Sequence, residues 1–482
     1  MNESHPSVNA IKQNKIAESE TFVFQKVDEL EIRKYIDKIG PKKATGIDNL
    51  SPKILRITKD VIAQPITNIV NHMIETSKFP EQLKVARVTP IHKKNDPLCK
   101  ENYRPVSILP AISKVFERTI SEQLVEFFEK VFNPLLSAYR RQYSCQSTLL
   151  AMTERWRHAL DENKTAAAIL MDLSKAFDCV NPTLLMEKLK AYGLDENAVA
   201  LINSYMTDRK QCVRVTNRHS TLSDILKGVP QGSILGPIIF NIYLNDIFHF
   251  TKNATLFNYA DDNSLSFCHN DNEILKQTLE NESTDLITLF SQNRLKANPE
   301  KFQAIVVSKK KNDAPVNFNI GDITIQSEDC VKLLGVTVDS CLNFNAHLRN
   351  VCVKISRQIN VLCRIAKHLT LDGRKAIYHS FILSNFGFCP IIWHFCSKAN
   401  TDKLERLHHR ALKFVYQDFD TKYENLLVKH GHSSLTLQRI RLIALETFKI
   451  LQGRSPTYLN NLVEHTNSTY SQRHGLRLKV PR

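Results

Sequence analysis

Six consecutive apolar residues, AAAILM at positions 166–171, are followed directly by an acid, Asp172. A run of this kind has no polar face, so it predicts a strand that is buried on both sides. Removing an ionised carboxylate from water is costly unless something positive lies close to it. Asp172 is therefore a candidate for chemistry, although the N-cap of a helix is an ordinary role for such an acid.

A second acidic feature lies between two segments typical of strands, ATLFNY at 254–259 and NSLSFC at 263–268. Successive strand side chains face opposite ways, so Asp261 and Asp262 can approach one site only if they lie in a turn. Three acids from two places, with no cysteine or histidine beside them, suit hard cations such as Mg²⁺. Two such ions about 4 Å apart can activate a hydroxyl group and stabilise a leaving pyrophosphate. The pair also suits the plain role of turn acids.

The remaining sequence alternates helix and strand patterns, which predicts a mixed α+β middle flanked by helical extensions. Helices are predicted at 21–78 with a break at 40–48, at 111–130, after Asp172 to about 207, after Pro237, at 271–294 and from about 345 onward. Further strands are predicted at 85–92, 102–110, 211–216, 302–308, 323–326 and 331–339.

The positive charge of the chain is unevenly distributed. The chain has 65 Lys and Arg against 49 Asp and Glu, a net charge of +16. Residues 1–350 contain 44 basic and 41 acidic side chains (+3), whereas residues 351–482 contain 21 and 8 (+13). Such a basic segment predicts a polyanionic partner such as nucleic acid, although a solvated helical face fits equally well.

The composition also predicts the cellular compartment of the protein. No run of 18 apolar residues occurs and the first residues are polar, so we expect neither a membrane span nor a signal peptide, and an intracellular protein. The 11 cysteines are scattered without a C-x-x-C pair, which predicts reduced and mostly buried thiols.

Four motifs occur in an order and at a spacing that resemble the palm motifs of reverse transcriptases. They are MDLSKAFDCV (171–180), GVPQGSILGP (228–237), FNYADD (257–262) and LLGV (333–336). NYRPVSILP upstream and NRLKANPEK downstream extend the resemblance over about residues 40–340. The pattern is similar to the polymerases of non-LTR retrotransposons, in particular the jockey-like elements of animals.

This resemblance implies an RNA-directed DNA polymerase that extends a DNA primer on an RNA template with deoxynucleoside triphosphates, using two Mg²⁺ ions or Mn²⁺. It implies a right-hand α+β fold with fingers, an antiparallel palm sheet with helices, and a helical thumb. The boundaries that we expect are an N-terminal helical extension at 1–79, fingers at 80–165, palm at 166–340, thumb at 341–415 and a basic helical tail at 416–482.

The family's metal and sugar contacts carry over to matching positions. Asp172, Asp261 and Asp262 resemble the metal-binding triad, with the main-chain carbonyl of Leu173 as an additional ligand. Phe177 matches the aromatic steric gate that excludes a ribose 2′-hydroxyl, although a core aromatic residue on a short helix is its plain alternative.

The family's nucleotide contacts carry over in the same way. Gln231 and Gly232 match the loop that contacts the incoming nucleotide and the template, and otherwise form a turn before a helix. Lys94 and Arg104 fit the triphosphate contacts. Lys301 occupies the position from which a lysine protonates the leaving pyrophosphate. Residues 333–339 resemble the primer grip.

The resemblance leaves other functions open. Full elements of this kind usually contain an endonuclease before the polymerase, for which residues 1–40 have no room. We therefore expect that activity from a missing domain or another protein, and the chain looks like the product of a truncated element copy. Rival functions are an RNA-binding remnant that does not polymerise, an RNA-dependent RNA polymerase and an intron-type reverse transcriptase. A cytoplasmic ribonucleoprotein that also enters the nucleus is the expected location.

Overall fold

A computed structural model describes residues 5–14, 21–216, 218–309 and 314–463. Part of the predicted basic tail, residues 464–482, therefore lies outside the described residues. The α-helices are, in chain order, α1 (Pro6–Gln13), α2 (Glu29–Asp37), α3 (Pro52–Ile57), α4 (Lys59–Thr76), α5 (Ser113–Phe128), α6 (Cys145–Asp161), α7 (Ala176–Cys179), α8 (Pro182–Tyr192), α9 (Glu196–Met206), α10 (Gly236–Leu244), α11 (Asn272–Gln292), α12 (Asn345–Ile365), α13 (Leu371–Ile377), α14 (Ser384–Phe386), α15 (Lys398–Tyr416), α16 (Tyr423–His430) and α17 (Leu435–Leu451).

The strands confirm most of the predicted ones and extend several of them. They are β1 (Val85–His92), β2 (Tyr103–Ile108), β3 (Thr165–Ser174), β4 (Arg209–Val215), β5 (Arg218–His219), β6 (Ser223–Ile225), β7 (Thr255–Tyr259), β8 (Asp262–His269), β9 (Lys296–Ala297), β10 (Gln303–Val307), β11 (Asn317–Ile320), β12 (Ile323–Gln326), β13 (Cys330–Leu333) and β14 (Val336–Asp339). Helices and mainly antiparallel sheets of this kind confirm the α+β class.

The chain divides into two compact units, each built from three segments. The first unit comprises Met1–Tyr139, Asp172–Lys252 and Asp285–Asn298, and the second comprises Arg140–Met171, Asn253–Thr284 and Pro299–Arg482. The predicted boundaries of fingers, palm and thumb stay predictions.

The sheet of the first unit has the strand order β2-β1-β4-β5, with β6 also paired to β4. β1 pairs antiparallel with β2 and parallel with β4. The same unit has an aromatic core in which Phe79 packs edge-on against Phe116 and Tyr205. Lys188 and Asp246, both fully buried, form an ion pair at 2.5 Å. The attraction within the pair offsets much of the cost of burying each charge.

The main sheet of the second unit has the strand order β10-β3-β8-β7. The apolar run 166–171 lies on the inner strand β3 and is buried, as predicted, and α6 packs on the neighbouring strands β7 and β8. The indole Nε1 of Trp156 on α6 donates to Ser266 Oγ on β8 at 2.8 Å. Ser266 in turn donates to the main-chain carbonyl of Ala167 at 3.1 Å, so buried polar atoms tie helix and strands together.

The C-terminal helices of the second unit share a buried polar network centred on His408. Tyr378 OH lies 2.6 Å from His408 Nε2, and Tyr423 OH lies 2.7 Å from Nδ1. Because Tyr423 donates its proton to Glu405, the histidine must donate from Nδ1 and accept at Nε2. Burial lowers the pKa of His408 to about 4, so the ring is neutral at physiological pH.

The structure also bears on the expectations about cysteines and membrane spans. All 11 cysteines are free thiols, but the expectation that most are buried is wrong, since only Cys212, Cys352 and Cys389 are. Cys363, for example, lies on the solvent face of α12. Among the helices of the described ranges, none is both long enough and apolar enough to traverse a lipid bilayer.

Candidate active site

The predicted acidic hairpin forms in the second unit. β7 and β8 pair antiparallel with Tyr259 opposite Asp262, which leaves Ala260 and Asp261 as the two turn residues. Ala260 has φ +58°, a left-handed conformation that costs an L-residue about 1–2 kcal/mol. Asp261 is half-buried and Asp262 is exposed, so the turn presents two adjacent carboxylates.

Two asparagines hold the main chain of this turn from its buried side. Asn258 and Asn263 lie opposite each other in the hairpin, and their side chains are 0% and 1% exposed. Asn258 Nδ2 donates to the carbonyl of Ala260 at 2.8 Å and to Asn263 Oδ1 at 2.9 Å. Asn263 Nδ2 donates to the carbonyl of Asp261 at 3.2 Å. We call this pair the asparagine clasp.

Asp172 and Leu173 belong to the first unit, near the end of β3. Leu173 is buried and pairs in register with Ala297 of β9, and the carbonyl of Asp172 accepts from Asn298 N at 2.9 Å. The alternative role of Asp172 as an N-cap is wrong, because β3 continues to Ser174 and Lys175 occupies the N-cap position of α7.

The donor chemistry of the acidic turn fits a hard divalent cation. Asp261 and Asp262 offer carboxylate oxygens, and Mg²⁺ in proteins is commonly held by one or two carboxylates together with substrate phosphates. Within the described ranges, no set of three or more His, Cys, Asp or Glu side chains is arranged to hold a metal ion by itself. A cation on this turn would therefore complete its coordination with further oxygen ligands, such as water, another carboxylate or a substrate phosphate.

The predicted steric gate, Phe177, has a fixed orientation in the first unit. Its ring is half-buried on α7 and stacks on Phe240 of α10 with centroids 4.3 Å apart and planes 19° apart. Tyr139 packs edge-on against the same ring at 6.0 Å. The main-chain carbonyl of Phe177 accepts from Val229 N at 2.9 Å, which ties α7 to the segment that leads to Gln231. A ring held on two sides can act as a rigid wall.

The loop with Gln231 and Gly232 is fixed to β2 and to α7. The carbonyl of Gln231 accepts from Ser107 N at 2.8 Å, and its side-chain Nε2 donates to Asp178 Oδ1 at 2.9 Å. Gly232 has φ +116°, and a Cβ added there would lie 2.7 Å from the carbonyl oxygen of Ser107. Only glycine permits this close approach, so the structure places both predicted residues on one tightly held loop.

A buried acid that sequence patterns did not reveal supports the same loop. Glu117 on α5 is 0% exposed, and its carboxylate accepts from Ile234 N at 2.6 Å and from Ser113 Oγ at 3.2 Å. Burial raises the pKa of Glu117, while these donors and the charge of Arg209 oppose that shift. The sequence feature that could have revealed Glu117 is the position of an acid on the apolar face of a helix, between Phe116 and Ile120.

The predicted phosphate contacts occupy one exposed hairpin of the first unit. Lys94 lies in the connection between β1 and β2, and Arg104 lies on β2 opposite Ile91. Both side chains are exposed. Ser107, three residues beyond Arg104 on the same strand, is the residue that bonds the Gln231 loop. The structure therefore connects the strand of Arg104 with the loop of Gln231.

Lys301 and the predicted primer grip belong to the second unit. Lys301 ends a 3₁₀ turn, Pro299–Lys301, directly before β10, and its side chain is exposed. Residues 333–339 form most of the β13–β14 hairpin. Its turn residues, Leu334 at φ +46° and Gly335 at φ +88°, both have the left-handed conformation that a two-residue type I′ turn requires.

Comparison with known proteins adds to this geometry. Residues 91–338, just over half of the chain, match the reverse transcriptase (RNA-dependent DNA polymerase) family. The chain is 27% identical over 399 residues to the probable RNA-directed DNA polymerase from transposon BS of Drosophila melanogaster, which covers 80% of this chain and 44% of that protein.

Two jockey proteins show a similar likeness. The RNA-directed DNA polymerase from mobile element jockey of Drosophila melanogaster is 25% identical over 402 residues, covering 80% of this chain and 43% of that protein. The jockey polymerase of Drosophila funebris is 26% identical over 409 residues, with the same coverage of 80% and 43%. The chain thus spans less than half the length of these relatives.

Proposed function

The chain belongs to the reverse transcriptase family, and from this we propose that it extends a DNA primer on an RNA template, as the polymerase of a jockey-like retrotransposon. The observation that carries the proposal is the β7–β8 hairpin, whose turn presents Asp261 and Asp262 inside the residues matched to the family. Adjacent carboxylates on a short turn are the oxygen donors that nucleotidyl transfer with Mg²⁺ requires.

The metal ligands in this proposal are Asp172, Asp261, Asp262 and the main-chain carbonyl of Leu173. When bound, two Mg²⁺ ions, or Mn²⁺ in their place, would activate the primer 3′-hydroxyl and stabilise the leaving pyrophosphate. The protein's own contribution is to hold the carboxylates in place before the substrate arrives, since positioning and electrostatics dominate phosphoryl-type transfer. Lys301 would donate a proton to the pyrophosphate.

The nucleotide contacts use the first unit. Arg104 would bind phosphate oxygens through its planar guanidinium and Lys94 would act as a point charge. Phe177, held between Phe240 and Tyr139, would lie against the sugar and leave no space for a 2′-hydroxyl. Gln231 and Gly232 would contact the incoming nucleotide and the template through their short, fixed loop.

The remaining segments would bind the template and primer. The +13 charge of residues 351–482 favours contact with the phosphates of an RNA–DNA hybrid, which position a duplex without reading its sequence. The β13–β14 hairpin would hold the primer end. We propose fingers, palm and thumb at 80–165, 166–340 and 341–415. Target nicking would come from a separate endonuclease, and the protein would act in a cytoplasmic ribonucleoprotein and in the nucleus.

Primer extension tests the proposal. The protein is given a DNA primer annealed to an RNA template, Mg²⁺ and either deoxynucleotides or ribonucleotides. We expect extension with deoxynucleotides that stops when Mg²⁺ is chelated. Extension with ribonucleotides alone would favour an RNA polymerase, whereas salt-sensitive RNA binding without any extension would favour an RNA-binding remnant. Either result would refute the proposed activity.

A further inference from the structure

We propose that Asn258 and Asn263, the asparagine clasp, are positioning residues for the metal-binding acids Asp261 and Asp262. Neither asparagine provides a metal ligand in this proposal. They act on the main chain of the turn that displays the two carboxylates, and the inference therefore rests on the proposed function of that turn.

The clasp forms a closed chain of hydrogen bonds around the turn. Ala260 and Asp261 are the two residues of the turn, and each of their carbonyls accepts from one of the asparagines. The asparagines also bond to each other at 2.9 Å, so neither carboxamide can rotate without breaking a bond to its neighbour. Both peptide planes of the turn are thereby fixed, and with them the direction of the Cα–Cβ bond of Asp261.

The location of the clasp leaves the carboxylates outside its hydrogen bonds. Asn263 and Asp262 are neighbours on β8 and therefore point to opposite faces of the hairpin. Asn263 is buried, whereas Asp262 is exposed. The clasp bonds Asp261 only through its main-chain carbonyl. It can therefore fix the turn without competing with a cation for carboxylate oxygens.

Stability alone accounts poorly for this pair. Asn258 Oδ1 is buried, and within the described residues it meets no hydrogen-bond donor. A buried acceptor left unpaired costs about 1–3 kcal/mol, which an apolar side chain of similar size would avoid. The turn also places Ala260 at φ +58°, a conformation that persists only when its surroundings impose it. The clasp provides that constraint next to the proposed metal ligands.

Three variants separate positioning from simple stabilisation. Asn258→Leu removes both donor bonds at nearly constant volume. Asn263→Ala removes the bond to the Asp261 carbonyl while leaving the bond from Asn258 to Ala260, and it remains informative if the first variant fails to fold. Asn293→Leu is the matched control, because Asn293 is 1% exposed and its Nδ2 also makes two bonds, to Ser7 Oγ and the Leu289 carbonyl, both at 3.0 Å.

The decisive readout is the Kd for Mn²⁺ of the protein without template or nucleotide. Binding is measured from the electron paramagnetic resonance signal of the Mn²⁺ that remains free. We expect the Kd for Mn²⁺ to rise about tenfold or more in Asn258→Leu and Asn263→Ala, as for other residues that orient metal ligands. The Mg²⁺ concentration for half-maximal primer extension should rise in parallel. Asn293→Leu should lower the Tm but leave both metal constants unchanged.

An unchanged Kd for Mn²⁺ in the two clasp variants, with a Tm loss like that of Asn293→Leu, would overturn the inference. The proposed function can fail separately. If the wild type binds Mn²⁺ in a way that depends on Asp261 and on the clasp, yet extends no primer, positioning is supported and polymerase activity is refuted. If the wild type extends a primer while both clasp variants bind Mn²⁺ normally, only the positioning role is refuted.

Discussion

Replacing Gly232 by alanine tests whether the geometry of the Gln231 loop matters for nucleotide binding. The new Cβ would lie 2.7 Å from the carbonyl oxygen of Ser107, well inside van der Waals contact. Because that oxygen belongs to the main chain of β2, it cannot rotate away as a side-chain atom could. The loop must therefore move away from β2, and the bond from Ser107 N to the Gln231 carbonyl, 2.8 Å long, should be lost.

Two contributions lower the folding stability of the Gly232→Ala variant. A non-glycine residue at φ +116° costs roughly 1–3 kcal/mol in backbone strain. Loss of the Ser107–Gln231 hydrogen bond adds about 1 kcal/mol. Gly193 provides a control for the backbone strain, because it has φ +98° and no atom of the described residues lies within 4 Å of an added Cβ. Gly193→Ala should show the strain without the displacement of the loop.

The assay is steady-state primer extension on an RNA template at varied deoxynucleotide concentration, together with a thermal melt of each variant. We expect both variants to lower the Tm, and Gly232→Ala to raise the nucleotide KM by roughly tenfold, equivalent to about 1.4 kcal/mol. Gly193→Ala should leave the KM unchanged. If Gly232→Ala keeps the wild-type KM, or if both variants raise it equally, the proposed role of this loop is wrong.

Three further predictions concern single side chains. Phe177→Ala should raise ribonucleotide incorporation relative to deoxynucleotide incorporation by roughly tenfold or more, measured by single-nucleotide competition, and unchanged selectivity would refute the gate. Arg104→Gln should raise the nucleotide KM without changing the Tm, because the side chain is exposed, whereas Arg218→Gln on the exposed strand β5 should change neither. Because the pKa of His408 is lowered to about 4 in the folded state, its stabilising contribution is present above about pH 6.5 and is lost as the pH falls through 4, by about 3 kcal/mol. Urea unfolding between pH 7 and 4 should show a shallower loss in His408→Gln, and an equal loss in both proteins would contradict this assignment.

The elements predicted best are those with an uninterrupted local pattern. The strand predicted at 85–92 has the observed bounds of β1, because its β-branched residues suit a sheet without help from distant segments. The 317–320 strand and helix α6 were not predicted. In α6 the apolar stripe is diluted by buried threonines such as Thr153, whose Oγ1 bonds the Leu149 carbonyl at 2.8 Å. A polar residue that satisfies itself on its own helix leaves little trace in a hydrophobic pattern.

The residues of the candidate site also differ in whether the local sequence could predict them. The acids of the β7–β8 turn could be predicted because the turn and its flanking strands are adjacent in sequence. The partners that hold the Gln231 loop could not be predicted, since Glu117 bonds Ile234 across 117 residues and Ser107 bonds Gln231 from another element. Asn258 and Asn263 are local, but their roles depend on burial, and buried asparagines look like turn residues in a sequence.

We propose that the carboxylate of Asp261 takes part in metal-dependent DNA synthesis on RNA. The most direct test compares wild type, Asp261→Asn and Asp322→Asn in primer extension at saturating Mg²⁺. Asp322 is the matched control, because it is an exposed acid in the two-residue turn of the β11–β12 hairpin of the same unit. We expect Asp261→Asn to lose roughly a hundredfold in rate, about 2.7 kcal/mol of barrier, and Asp322→Asn to lose none. A wild-type rate in Asp261→Asn would contradict the claim.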